Sequence, residues 1–161
     1  MDLVLLARWL HVLGATVLLG TGAGIAFFMM MAVRTRRPDL IAHVAGTVAV
    51  ADALFTATAV VAQPLTGTWL AHLVGWRLTE GWIALSLGLY VLTGVCWLPV
   101  VWIQLQLRDL ACSAAARGEG LPSRFDRLYR LWFALGVPAF MAVLAIIWLM
   151  LARPVIRTPW S

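Results

Sequence analysis

Charged side chains are scarce in this sequence. Asp, Glu, Lys and Arg make up 12% of the 161 residues, whereas 63% are hydrophobic, and the mean hydropathy is +0.93. Lysine is absent, so all 12 basic residues are arginines. A soluble domain of this size carries about twice this share of charge. The composition therefore excludes a soluble enzyme and argues against nucleic acid as a partner of the +5 chain. It predicts that the main partner is the lipid bilayer.

Cysteines and short catalytic motifs are also few. There are two cysteines, of which Cys96 lies inside an apolar run and Cys112 lies just beyond its end. On one helix they would be about 24 Å apart, at a rise of 1.5 Å per residue, which is too far for a disulfide. The sequence has no CxxC or Cys/His metal spacing, and no nucleophile elbow, phosphate loop or HExxH motif. Disulfide-stabilised, zinc-binding and common hydrolase sites are not predicted.

Long apolar runs fill most of the chain. Because a bilayer core of about 30 Å needs roughly 20 apolar residues per helix, the runs predict an all-α membrane protein with four antiparallel transmembrane helices. The predicted spans are about 3–33, 39–62, 81–107 and 129–152, in a single integral membrane domain over 1–161. The first run is too long for a signal peptide, and its positive cluster follows it, so we expect a retained helix.

Two connecting segments are predicted from their breakers and polarity. Gln63–Thr68 contains Pro and Gly, so we expect helix 2 to end there. The next apolar stretch, Trp69–Trp76, is too short to span and is predicted to lie flat at the interface or to be re-entrant. Residues 108–128 are predicted to form a polar loop.

Arginine and tryptophan positions predict the orientation. Eight arginines flank the turn after helix 1 and the loop after helix 3: Arg34, Arg36, Arg37, Arg108, Arg117, Arg124, Arg127 and Arg130. Four lie on the other side: Arg8, Arg77, Arg153 and Arg157. The positive-inside rule places the first set in the cytoplasm. Six tryptophans fall near the other interface: Trp9, Trp69, Trp76, Trp82, Trp148 and Trp160. We therefore expect a bacterial inner-membrane protein with both termini in the periplasm.

Two ionisable residues inside the predicted spans are candidates for function, because such groups are costly in a membrane. His11 and Asp52 have similar predicted depths, so they could hydrogen-bond across helices 1 and 2. A carboxylate at one ring nitrogen would fix the imidazole tautomer for metal binding. Asp52, Thr56 and Gln63 share a helical face, which suggests a support for His11, a proton path, or hydrogen bonds between helices.

Helix 1 is also rich in small residues. Gly20 and Gly24 form a small-xxx-small pair that permits close backbone approach. A slim groove beside His11 could admit the flat face of a porphyrin, and ordinary helix packing is the alternative explanation.

Further polar residues lie near the predicted outer mouth. His72 in the interfacial segment is a candidate second axial ligand of a haem, and a polar tip at the interface is the alternative. Arg8 and Arg77 could meet haem propionates, since guanidinium matches carboxylate geometry. His43 falls on the face opposite Asp52 and is predicted to be non-functional. A single haem b, with His11 and His72 as metal ligands and Asp52 in support, is the expected cofactor.

Four segments together resemble a bacterial family of predicted integral membrane proteins, domain of unknown function 2269. They are Trp9–Gly14 with Gly20–Gly22, Gln63–Gly67, Cys96–Trp102 and Leu131–Phe140. The resemblance covers nearly the whole chain and implies a four-helix inner-membrane protein. The start of helix 1, from Leu10-His11 to Gly20, is also similar to copper-resistance D-type and HemJ-type proteins. In the HemJ type a first-helix histidine is associated with haem b, which implies that role for His11 alone.

Three functional hypotheses follow. The first is a haem-b protein in membrane redox chemistry or electron transfer, with quinone as a candidate partner. The second is a non-enzymatic subunit or assembly factor of a larger membrane complex, or a homo-oligomer. The third is a proton- or ion-coupled permeation unit.

Overall fold

The computed structural model describes residues 2–156, which form four long helices. They are α1 (Leu3–Arg34), α2 (Pro38–Val74), α3 (Gly81–Arg117) and α4 (Ser123–Ala152). Each helix is long and apolar enough to cross a membrane, which confirms the predicted all-α four-helix membrane protein. We call the end where α1 begins and α4 ends the terminal end, and the opposite one the arginine-rich end. Arg157 and Trp160, which entered the predicted orientation, lie outside the described residues.

The helix ends follow from local sequence. The Asp2 side chain accepts a hydrogen bond of 2.9 Å from the Val4 amide and so caps α1. Pro38 occupies the first turn of α2, where its missing N–H is not needed. Gly75 and Gly118 end α2 and α3 with φ of +84° and +64°, a left-handed conformation that glycine adopts without strain.

Helices α3 and α4 extend further than predicted on the arginine-rich side. The prediction of a polar loop over residues 108–128 is wrong, because α3 continues to Arg117 and α4 begins at Ser123. Leu107, Ala111 and Ala114 recur at helical spacing and are fully buried, so one face of this polar stretch packs on the bundle while the other faces solvent.

Helix α2 does not end near Gln63, so the predicted interfacial segment at Trp69–Trp76 is also wrong. The helix runs through Pro64 to Val74. Proline lacks the N–H that would bond to the carbonyl four residues earlier, here that of Val60. The Tyr90 hydroxyl of α3 donates to this carbonyl instead. A neighbouring helix thus supplies the bond that the proline removes, which is how prolines are tolerated within membranes.

The common core of all four helices lies toward the arginine-rich end. Its buried residues are Ile25, Met29, Ala32, Val33, Ile41, Ala45, Val48, Ile103, Leu107, Ala111, Phe125 and Trp132. Beside it, the Arg36 guanidinium donates two hydrogen bonds of 2.6 and 3.2 Å to the Asp126 carboxylate. This bond raises the pKa of Arg36, which stays charged. The contact ties the α1–α2 turn to the start of α4.

Large apolar side chains cover the outer surface of the bundle. Leu151 is 80% exposed, and Val91 and Leu98 are each 65% exposed. A soluble protein rarely exposes such a continuous apolar surface, whereas lipid tails are its natural solvent. Toward the terminal end, α1 packs along the second half of α2, and α3 packs along α4. A cleft separates these two pairs.

Candidate ligand-binding cleft

The cleft contains two adjacent cavities within the described part of the chain. The histidine cavity, lined by His11, has a volume of about 410 Å³ and lies toward the terminal end. The aspartate cavity, lined by Asp52, has about 460 Å³ and lies deeper in the bundle. Five residues line both: Ala15, Gln63, Tyr90, Ile146 and Ile147. Each volume falls in the range of small-molecule sites, about 300–1,000 Å³.

The His11 imidazole is paired with a hydroxyl of the neighbouring helix. Its Nδ1 lies 3.0 Å from the Thr66 hydroxyl oxygen. That hydroxyl donates its one proton to the Ala62 carbonyl of its own helix, at 2.8 Å. With the hydroxyl proton used in this way, the imidazole can donate from Nδ1, and that tautomer leaves the free lone pair on Nε2. Within residues 2–156, Nε2 has no hydrogen-bond partner. This is the arrangement in which protein histidines bind metals, with the second nitrogen fixed by a neighbour.

Two glycines allow α1 and α2 to meet closely around this histidine. A Cβ at Gly67 would lie 3.0 Å from Cε1 of His11, and one at Gly14 would lie 2.5 Å from Nε2 of Gln63. The same Gln63 amide donates to the His11 carbonyl at 2.9 Å. The predicted close approach at the Gly20–Gly24 pair is not observed, because Cβ atoms at these two positions would meet nothing within 4 Å.

The predicted hydrogen bond between His11 and Asp52 is wrong. The depth of Asp52 was counted from a helix end near Ala62, but α2 continues to Val74, which moves Asp52 about 18 Å deeper at 1.5 Å per residue. Thr66 occupies the position opposite His11 instead. His11 follows the start of α1 by eight residues, and Thr66 precedes the end of α2 by eight. Equal depth in antiparallel helices brings them together.

Asp52 begins a π-helical stretch of α2, Asp52–Thr56. Such bulges occur frequently at functional sites. The carboxylate is buried, and its Oδ1 accepts a hydrogen bond of 3.3 Å from the Trp97 indole of α3. Asp52, Thr56 and Gln63, predicted to share one face, do not form a single polar site. Gln63 donates a hydrogen bond to α1 and lines both cavities, whereas Asp52 and Thr56 line only the aspartate cavity.

The other predicted site residues lie outside both cavities. His72 is exposed in the last turn of α2, Arg8 is exposed on α1, and Arg77 is exposed in the turn after α2. None of them lines either cavity, and neither does His43. The structure therefore brings His11 and Asp52 to the cleft but not the proposed second ligand His72. Across residues 2–156, no three His, Cys, Asp or Glu side chains cluster in a way that could hold a metal ion.

Several cleft residues were missed by sequence reasoning. The Arg153 guanidinium lies 4.6 Å above the Trp76 ring, which packs edge-on against Trp82 at 5.3 Å. Both tryptophans line the histidine cavity, so this cluster flanks it at the terminal end. Met150 of α4 lines the same cavity. Tryptophans on both sides of the Gly75 turn could have indicated this cluster from the sequence. The sequence alone does not show that α4 packs beside it.

The chain matches the sequence model of a family described as predicted integral membrane protein, DUF2269, over residues 5–154. The chain belongs to this family. That membership confirms the resemblance drawn from the four sequence segments, and it agrees with the four membrane-spanning helices. No curated protein and no solved structure matches the chain.

Two side chains of the types that bind haem iron line the histidine cavity. They are the imidazole of His11 and the thioether of Met150, the donor pair of His/Met haem proteins. The remaining lining is mainly apolar and includes the small residues Ala15 and Ala71, while Gly67 packs directly against the imidazole.

Proposed function

We propose that this protein binds one haem b in the histidine cavity of a bacterial inner membrane and takes part in membrane redox chemistry or electron transfer. One observation carries the proposal. The imidazole of His11 keeps Nε2 unpartnered beside an apolar cavity, while Thr66 holds Nδ1. A histidine retained only for packing would be expected to use both nitrogens, because an unmade hydrogen bond is costly in an apolar setting.

Two residues of this chain would hold the iron. His11 would bind through Nε2, and Met150 from α4 would supply a thioether in place of His72. A haem with His and Met ligands supplies reversible one-electron transfer at a comparatively high potential. The two ligands lie on opposite sides of the cleft, so the cofactor would also join the α1–α2 pair to the α3–α4 pair.

Arginines at the terminal end would meet the haem propionates. Arg153 is the best placed, since it already stacks on a tryptophan of the cavity lining. Arg8 and Arg77 lie at the same end and could add to the positive charge there. The arginine-rich end would face the cytoplasm and the termini the periplasm, in line with the positive-inside rule. A quinone or a periplasmic carrier would then exchange electrons with the haem, in a monomer, a homo-oligomer or a larger complex.

The test is an absorption spectrum of the protein purified from cells supplied with haem precursors. We expect a Soret band with one haem per chain, lost in His11→Ala and kept in His72→Ala and His43→Ala. In Met150→Leu the band should persist but change from a six-coordinate low-spin to a five-coordinate high-spin form. Met31→Leu, an exposed methionine of α1, is the matched control. Protein that stays colourless with haem available, or a band unaffected by His11→Ala, would contradict the proposal.

A further inference from the structure

We propose that the aspartate cavity binds the ring of an isoprenoid quinone, held by Asp52, Gln104 and Trp132. The inference stands on this cavity alone and does not require haem in its neighbour. It assigns a class of ligand to a cavity that the proposed haem function does not use.

Two side chains lining this cavity have buried polar atoms without a partner in the described chain. They are the Gln104 carbonyl Oε1 and the Trp132 indole N–H. Gln104 is 1% exposed and Trp132 is 4% exposed. Buried polar groups in native proteins nearly always have a partner, so each orphan needs an explanation. A ligand that both accepts and donates hydrogen bonds would satisfy this set.

The two orphans lie on neighbouring antiparallel helices. Gln104 is on α3 and Trp132 is on α4, and both side chains line the aspartate cavity. One ligand in this cavity could therefore contact both polar groups.

The cavity lining selects a neutral ligand. Asp52 is the one carboxylate in the lining, and the lining contains no Arg, Lys or His. A phosphate or carboxylate head group would have no cationic side chain to pair with there. Lipid-soluble molecules with uncharged polar groups remain.

The walls favour a flat ring. Both small and aromatic residues line the cavity: Gly22, Ala23, Gly94, Gly136 and Ala139, with Trp97, Phe133 and Phe140. Small residues leave a slot, and aromatic faces stack on planar rings. A quinone ring carries two neutral oxygens and a long apolar tail, which the lipid-facing surfaces of the helices could accommodate.

Both forms of such a ring would find partners. The carbonyl of a quinone accepts from the Trp132 N–H, and the hydroxyl of a quinol donates to Oε1 of Gln104 or to Asp52. Binding of the two forms is the whole of the inference, and no electron-transfer step is included in it.

The test uses decylubiquinone and its quinol as probes, titrated calorimetrically into the purified protein in detergent micelles. We expect saturable binding of one ring per chain. Trp132→Phe should weaken quinone binding about tenfold, and Gln104→Leu should weaken quinol binding to a similar degree, as expected for one lost hydrogen bond. Without ligand, Gln104→Leu should melt no lower than wild type, because it removes an unpaired polar group, whereas Trp132→Phe should melt lower, because it shortens a side chain of the core. Trp102→Phe, at an exposed position of α3, should bind as wild type.

A steric variant keeps the test independent of hydrogen bonding. A Cβ at Gly94 or at Gly88 would meet nothing within 4 Å, but only Gly94 lines the cavity. Gly94→Leu should abolish quinone binding, while Gly88→Leu should not. Any Soret band should survive Gly94→Leu, and quinone binding should survive His11→Ala, so the two proposals can fail separately. No saturable binding to wild type, or unchanged binding in Gly94→Leu, would overturn the inference and leave buried water as the partner of the orphans.

Discussion

The bond from the Tyr90 hydroxyl to the Val60 carbonyl offers a sharp test of the fold. In an uninterrupted helix this carbonyl would accept from the amide of residue 64, which is a proline here. Tyr90→Phe would leave it unpaired in the membrane interior. Hydrogen bonds between transmembrane helices average about 0.6 kcal/mol and reach about 1.7 kcal/mol, and the orphaned carbonyl adds a desolvation penalty. We therefore expect the free energy of unfolding to fall by about 1–2 kcal/mol.

The proline supplies the control. Pro64→Ala restores an amide that can bond to Val60, so Tyr90→Phe in the Pro64→Ala background should cost less than about 0.5 kcal/mol. The four proteins can be compared by reversible unfolding with sodium dodecyl sulfate in mixed micelles. Tyr129→Phe, at the other tyrosine of the chain, should behave alike in both backgrounds. An equal cost of Tyr90→Phe with and without Pro64 would refute the reasoning that links the hydroxyl to the proline.

Three further predictions concern the helix contacts and the orientation. Gly67→Ala should lower the melting temperature, because its Cβ would lie 3.0 Å from the imidazole, whereas Gly20→Ala should leave it equal or higher, since its site is open and alanine favours helix. Asp126→Asn should cost less than about 1 kcal/mol, with the difference vanishing at high salt in unfolding experiments, because its ion pair is largely exposed. Cys112, which is exposed, should react with a membrane-impermeant maleimide in Cys96→Ala protein only after spheroplasts are permeabilised; labelling of intact spheroplasts would reverse the proposed orientation.

The four spans were predictable because the thickness of the bilayer sets how many apolar residues a helix needs to cross it, about 20, whatever the helix packs against. The errors arose where a neighbour decides the outcome. Pro64 looked like a helix end, but a tyrosine on α3 satisfies the carbonyl that it frees. The extension of α3 to Arg117 could have been predicted in part, because alanines at helical spacing precede Gly118. The sequence alone does not show that one face of this stretch is buried, so its polar and helix-breaking residues favoured a loop.

The candidate site was predictable only in its most costly residues. His11 and Asp52 stood out because ionisable groups are costly inside membrane spans and so mark candidate functional sites. Their partners could not be foreseen, because an error at one helix end shifts every depth along that helix. Thr66, Trp97 and Met150 are ordinary residues in the sequence, and only the packing of the helices brings them to the cleft.

The central claim is that His11 presents an unprotonated Nε2 to the histidine cavity. The most direct measurement is the ¹⁵N spectrum of histidine-labelled protein in micelles at a pH above the titration of free imidazole, with His11 assigned by comparison with His11→Ala. The account predicts a protonated Nδ1 and an unprotonated Nε2, whose signal shifts or broadens when haem is added. A proton on Nε2, or an Nε2 signal that haem leaves unchanged, would contradict it.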